Sequence, residues 1–342
     1  MSTMQEYERL EHVWAEVNNL DPKGMVACNS GTAALHLALE ALPIPPQSTV
    51  LVPDFTMIAC ARAVTLSGRN PKFIDCDNIS LNLDPLQVPY NDDTAAAILV
   101  VHTYGRHIDF HKSRQLGAGP NWCWKDGLYI IEDLAECHGV TDFVGMKVQP
   151  DTHAACWSFY KNKVVHGEEG GAVWFRDPSA AAKARRLRCL GFTDSHDFMH
   201  IPRGHNYRLA NLLATPILDS IHKMESNLRI RRELEEQADR YCPDEWKQPY
   251  RDVPWVYDFR IRDLTYEQQN HIIATLRSQG IQARHAFKPM SSQREYYDPK
   301  QPHDFNLNAY AASREVIYLP LDPLNPIDYK SAFELICSVV SI

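Results

Sequence analysis

Along the first two-thirds of the chain, short apolar runs alternate with stretches of helical spacing. Met25 to Cys28 is a short apolar run, and from Thr32 to Leu42 the residues Leu35, Leu39 and Leu42 share one helical face. STVLVPDF (48–55) predicts a strand closed by Pro53, Met57 to Leu66 a helix, and Pro71 to Asp75 a further strand. AAAILVVHTYG (95–105) and LYIIEDLA (128–135) are nearly continuous apolar runs, the pattern of parallel strands buried on both faces. This strand-then-helix rhythm predicts a doubly wound α/β domain.

Two later runs, HAACWSFY (153–160) and GGAVWF (170–175), predict neighbouring strands around a polar, glycine-bearing loop that carries two lysines. Asn211 to about Tyr241 predicts a mostly helical bridge, with Pro216 marking its start or a kink. Beyond it lie a strand (253–262), a helix (266–279), a strand (280–287), a third strand (316–321) and a final helix (326–342). Lys288 to Asn308 is polar and reads as a loop over the site. The expected organisation is a large, mostly parallel-sheet domain over 1–222 and a smaller C-terminal α/β domain over 223–342 that includes the bridging helix.

Composition narrows the function classes. The formal net charge of −8 and a pI near 6.0 argue against a general nucleic-acid binder, which carries a basic excess. No apolar run approaches the length of a membrane span, and the polar, acidic stretch from Met1 to Val17 lacks the basic start and apolar core of a signal peptide. The nine cysteines show no close pair at metal-ligand spacing. They read as buried thiols of a reducing cytoplasm, and no metal site is expected.

Four motifs carry candidate chemistry. Asn29-Ser30-Gly31-Thr32 precedes the first apolar helix and offers backbone N–H groups at the positive end of its dipole, an arrangement that binds phosphate and that also serves as a plain N-cap. Glu132-Asp133 ends a buried strand, where α/β folds place ligands; an aspartate there also caps a following helix. Ser158-Phe159-Tyr160-Lys161-Asn162-Lys163 places lysines on the inter-strand loop, where a buried, deprotonated amine can attack a carbonyl. Spacing alone does not choose between Lys161 and Lys163. Gly204-His205-Asn206-Tyr207-Arg208 supplies donors for a phosphate or carboxylate just before the long helix.

In this order the four motifs resemble those of the DegT-like nucleotide-sugar aminotransferases, a family of fold-type-I enzymes dependent on pyridoxal 5'-phosphate (PLP). The resemblance runs from about Glu8 to the C-terminus, through ACNSGTAALHLAL, LVPDFTMIACARAV, PKFIDCD, VVHTYGRHID, IIEDLAECHG, SFYKNK, GHNYRLAN and GIQARHAFKP. It implies that Gly31 and Thr32 offer amides to the phosphate and that Ser158 is a further phosphate ligand. It makes Asp133 the partner of the pyridine nitrogen and Glu136 a neighbour of the ring hydroxyl or the reacting lysine. It selects Lys163 as the lysine that bonds the cofactor, and it places Asn206 at the phosphate of a neighbouring subunit and Arg284 near the substrate. It also implies a homodimer with shared active sites, acting in the cytoplasm.

Several positions depart from the family pattern. Met57 stands where an aromatic ring usually stacks on PLP. His166-Gly167 replaces a Thr-Thr pair, with an extra acid at Glu168, which makes His166 a candidate on the substrate side. Pro289-Met290-Ser291-Ser292-Gln293 lacks the usual substrate-side histidine, and the Trp-x-Thr-x-Gly stretch has no counterpart. The function implied is transfer of an amino group, from glutamate, to a nucleotide-linked keto-sugar, with Lys163 and Asp133 catalytic. The alternative is a decarboxylase or lyase reaction on an amino-acid-like or nucleoside-linked substrate, using the same two residues; a third is a PLP-binding regulator without turnover.

Overall fold

The computed structural model describes residues 4–89, 92–108, 127–140, 147–193, 198–297 and 307–340. The first element, α1 (Glu6–Val17), was not expected from the pattern, because its apolar residues, among them Leu10, Val13, Trp14 and Val17, are interleaved with charged ones. A capping box between Gln5 and Glu8 starts it. Trp14 then anchors it by edge-to-face contacts with Trp157 at 5.8 Å and Phe159 at 5.3 Å.

β1 (Met25–Cys28), β2 (Thr49–Pro53), β3 (Asn70–Ile74), β4 (Ala95–Val101), β5 (Tyr129–Asp133), β6 (Ala154–Ser158) and β7 (Gly171–Phe175) form a seven-stranded sheet in the order β1-β7-β6-β5-β4-β2-β3. β7 runs antiparallel to β1 and β6, and every other adjacent pair is parallel. α2 (Gly31–Ala41), α3 (Ile58–Leu66) and α4 (Pro178–Arg188) pack on one face around Leu37, Val52, Leu99 and Val173. On the other face α1 and α5 (Asn211–His222) enclose Trp157, Phe159 and Ile217. Both faces are covered, which is why the central strands read as continuous apolar runs.

α6 (Met224–Tyr241) leads to a second, antiparallel sheet in the order β8-β10-β9, formed by β8 (Val256–Arg260), β9 (Arg284–His285) and β10 (Val316–Pro320). α7 (Tyr266–Ser278) and α9 (Tyr329–Val340) pack on it around Phe259, Ile272, Leu276 and Phe333; α8 (Leu307–Glu315) lies beside it. Three expectations are corrected here. The interruption of the bridging helix falls at Lys223, and Pro216 lies inside α5. The predicted strand 280–287 shrinks to Arg284–His285, because only these two residues pair with β10. The polar stretch from Lys288 holds a short 3-10 turn, Met290–Ser292, and ends at the start of α8; its residues 298–306 and Cys123 lie outside the described residues.

A buried ion network ties the two sheets together. Arg106, just after β4, grips both carboxylate oxygens of Asp258 on β8 at 2.8 and 3.0 Å. Arg251 donates to Asp258 Oδ1 at 2.7 Å and to Glu235 of α6 at 2.8 Å. Burial pushes the Asp258 carboxyl up, but the two guanidinium groups outweigh it and hold the group below its ordinary value. Breaking such a network strands a buried charge, so it fixes β8 against the strand ends of the large sheet.

Candidate active site

β4, β5 and β6 are parallel and in register, with Val101 opposite Asp133 and Asp133 opposite Cys156, so their C-terminal ends open on one side. The N-terminus of α2 abuts this edge. Ser30 caps the helix, its hydroxyl accepting from the Ala33 N–H at 3.1 Å and its carbonyl from the Ala34 N–H at 3.0 Å. The amides of Gly31 and Thr32 are left at the open end of the first turn. A Cβ on Gly31 would lie 2.7 Å from Ser158 Cβ, so only glycine lets the helix start come this close to the end of β6. Two amides and the Ser158 hydroxyl are thus brought together as a cradle that could hold an anion.

The loop between β6 and β7 is closed by Phe159 N–H to the Gly170 carbonyl and Gly167 N–H to the Phe159 carbonyl, both at 2.8 Å. It separates the two lysines. Lys161 is exposed, whereas the side chain of Lys163 is only 11% exposed and turns inward. Lys163 Nζ lies 3.8 Å from Glu136 Oε1 and 3.9 Å from the ring centre of Trp255. Burial lowers its pKa, opposed by the charges of Glu136 and Asp133. Glu136 accepts the Tyr104 N–H at 2.8 Å, and burial pushes its carboxyl up to about 7 despite the attraction of Lys163. To deliver that N–H, Tyr104 adopts φ 53°, a conformation costly for an aromatic residue and held by its complete burial.

Asp133, at the end of β5, accepts from the Ala135 N–H at 3.0 Å and from the thiol of Cys60 at 3.3 Å. Its neighbour Glu132 is committed elsewhere: it pairs with His102 at 3.0 Å and accepts from the Gln149 N–H and the Thr152 hydroxyl. Burial raises the Glu132 carboxyl, but these contacts outweigh it and hold the group below its ordinary value. Met57, the N-cap of α3, is 53% exposed one turn before Cys60.

The remaining candidates lie further out. Asn206 is exposed, with its carbonyl accepting from Asn29 Nδ2 at 3.3 Å, so its segment flanks the anion cradle. This segment is stapled to α2 by Glu40, which meets His205 at 2.6 Å and Arg203 at 3.4 Å. Arg284 stands opposite Tyr318, whose ring is 5.6 Å from that of Tyr104. The N–H of His166 donates to Ser220 Oγ at 3.0 Å; among the described residues no hydrogen bond or ion pair joins His166 to Lys163 or Asp133. Ser291 is tied to the buried Asp54 by its N–H at 2.7 Å and its hydroxyl at 2.8 Å.

Trp255, Tyr104 and Cys60 were missed in the sequence. Tyr104 lay inside a quoted motif and Trp255 inside a predicted strand. Neither has a local period that would reveal its partner, because each meets the site through tertiary contact only.

The sequence profile of the DegT/DnrJ/EryC1/StrS aminotransferase family matches residues 2–327. A GDP-perosamine synthase of Caulobacter vibrioides is 32% identical over 277 residues, covering 78% of this chain and 73% of that protein. Among solved structures, 3-amino-5-hydroxybenzoic acid synthase superposes with a TM-score of 0.87 at 24% identity over 98% of this chain and 91% of the other. DesV of S. venezuelae, solved in complex with a ketimine intermediate, superposes at 0.83 with 26% identity over 99% and 89%.

Proposed function

The chain belongs to the DegT/DnrJ/EryC1/StrS aminotransferase family, and on that premise we propose that it uses PLP to aminate a nucleotide-linked keto-sugar, with glutamate as donor. The observation that carries this reading is the convergence of a buried lysine, an acid at a strand end and an anion cradle on one edge of the sheet. The sugar-nucleotide reading is supported by the similarity to GDP-perosamine synthase.

The residues present fit the cofactor. Gly31, Thr32 and Ser158 would hold its phosphate, with Asn206 reaching the phosphate of a partner subunit; Asp133 would face the ring nitrogen, Met57 the ring, and Lys163 the aldehyde carbon. When bound, PLP supplies an aldehyde and an electron-accepting ring. The carboxylate of Asp133, oriented by Ala135 N–H and the Cys60 thiol, holds a proton on the ring nitrogen. Burial favours the neutral amine of Lys163, which then takes and returns the proton of the reacting carbon as general base and acid. Glu136, poised near neutrality, exchanges protons with that amine. Arg284, exposed at the sheet edge beside Tyr318, is the substrate-side cation, and His166 a more distant contributor.

We place the cofactor domain at 1–222 and the smaller domain at 223–342, and propose a cytoplasmic homodimer with shared sites. No helix among the described residues is long and apolar enough to cross a membrane. A monomer in equilibrium sedimentation at full cofactor loading would rule out the shared sites. The substrate reading is tested by incubating the protein with glutamate and a panel of nucleotide-linked keto-sugars and weighing the products. An amino-sugar nucleotide together with 2-oxoglutarate is expected. Release of carbon dioxide or ammonia, with no amino sugar formed, would replace transamination by a decarboxylase or lyase reaction.

A further inference from the structure

The free amine of Lys163 rests in a built seat. An aromatic face at 3.9 Å and a carboxylate oxygen at 3.8 Å meet the same nitrogen. The aromatic residue is itself fixed. Trp255 is 5% exposed, and its Nε1–H donates at 3.0 Å to the carbonyl of Asn162, the residue before the lysine. Its own carbonyl accepts from Arg231 Nη1 of α6 at 2.9 Å. The rings of Tyr104 and Tyr318 lie 6.3 Å from it. The indole therefore cannot turn away without losing its bond to the lysine loop.

We infer that Trp255 is a positioning residue whose indole face, with Glu136 beside it, seats the Lys163 amine as an ammonium during the part of the cycle when that amine is not bonded to the cofactor. The inference rests on Lys163 being the cofactor lysine. A cation over an aromatic face is held more strongly as water is withdrawn, and here the Lys163 side chain is only 11% exposed. Asp133 and Cys137 favour the ammonium and Arg231 opposes it. His138 is held neutral, its pKa pushed by burial down to about 3. Burial favours the neutral amine, and the charge of Glu136 and the indole face oppose it while holding the nitrogen in one place.

The test uses the cofactor-free protein, where the amine is free. Fluorinated tryptophan weakens the negative face of the indole while keeping its shape and its N–H donor. The rate at which a lysine-acylating reagent labels the Lys163 peptide is followed against pH by mass spectrometry, and its midpoint gives the pKa of the amine. With fluorotryptophan the midpoint should fall by roughly 0.5–1 pH unit. The same labelling in Trp255→Phe protein should leave that variant's midpoint unmoved, because among the described residues Trp255 is the tryptophan whose ring meets Lys163 Nζ. Trp255→Phe alone, which keeps a ring but loses the bond to Asn162, should raise the high-pH labelling rate by freeing the loop. An unmoved midpoint in the fluorinated wild type, or an equal fall in the Trp255→Phe background, overturns the seat. Neither result depends on cofactor binding, so failure of the PLP reading would show separately, as absence of cofactor on Lys163.

Discussion

Replacing Glu136 with glutamine removes a buried carboxylate while keeping an oxygen for the Tyr104 N–H. In the folded chain this carboxyl stands at about 7 rather than its ordinary 4.5, chiefly because it is buried. The unfolded chain releases the proton at the ordinary value. Above that value the unfolded state therefore binds fewer protons than the folded one, and the wild type loses stability as pH rises through the window from 4.5 to 7. Above the window the loss levels off at about 3 kcal/mol. Glutamine carries no such penalty. The stability of Glu136→Gln relative to wild type should climb by about 3 kcal/mol between pH 4 and pH 8. Urea unfolding of both cofactor-free proteins across that range measures it, with the slope of each unfolding curve checked for constancy. A difference that stays flat within about 0.5 kcal/mol, or that falls with pH, would refute the claim that burial dominates at Glu136. Turnover should fall in the same variant, because the exchange partner of Lys163 is gone.

Asp258→Ala strands Arg106 and Arg251 in the interior and should cost about 3–5 kcal/mol in urea unfolding at neutral pH. The Asp258 carboxyl lies below its ordinary value in the fold, so its contribution is present above the unfolded-state value and lost as pH falls through the folded one; the gap to the variant should narrow in acid. Gly31→Ala sets a methyl against Ser158 and should weaken PLP binding at least about tenfold by absorbance titration, since the cradle must open; wild-type affinity would show that the cradle does not hold the phosphate. Met57→Tyr should tighten PLP by about 0.5–1.5 kcal/mol if the residue faces the ring; no change in affinity would place Met57 elsewhere.

The large sheet was legible because its strands are buried on both faces, and long apolar runs such as 95–105 survive any local ambiguity. The small sheet was less so. β9 is only Arg284 and His285, and its apolar flanks Ile281 and Ala283 pack against neighbouring elements without joining the ladder. α1 was invisible because its apolar residues are interleaved with charged ones and make a helix only once the core supplies partners for Leu10 and Trp14. At the site, Lys163, Asp133 and the α2 N-terminus could be named because each is attached to a local motif. Trp255 and Tyr104 could not, because they reach Lys163 and Glu136 from 92 and 32 residues away in sequence. The choice between Lys161 and Lys163 needed either a resemblance or the fold, since only burial distinguishes them.

The assignment of Lys163 as the cofactor lysine is read directly by reducing the PLP-loaded protein with borohydride and mapping the labelled peptide. One labelled residue, Lys163, is expected, and Lys163→Ala should take no label and lose turnover. Label on Lys161, or full activity in Lys163→Ala, would contradict it.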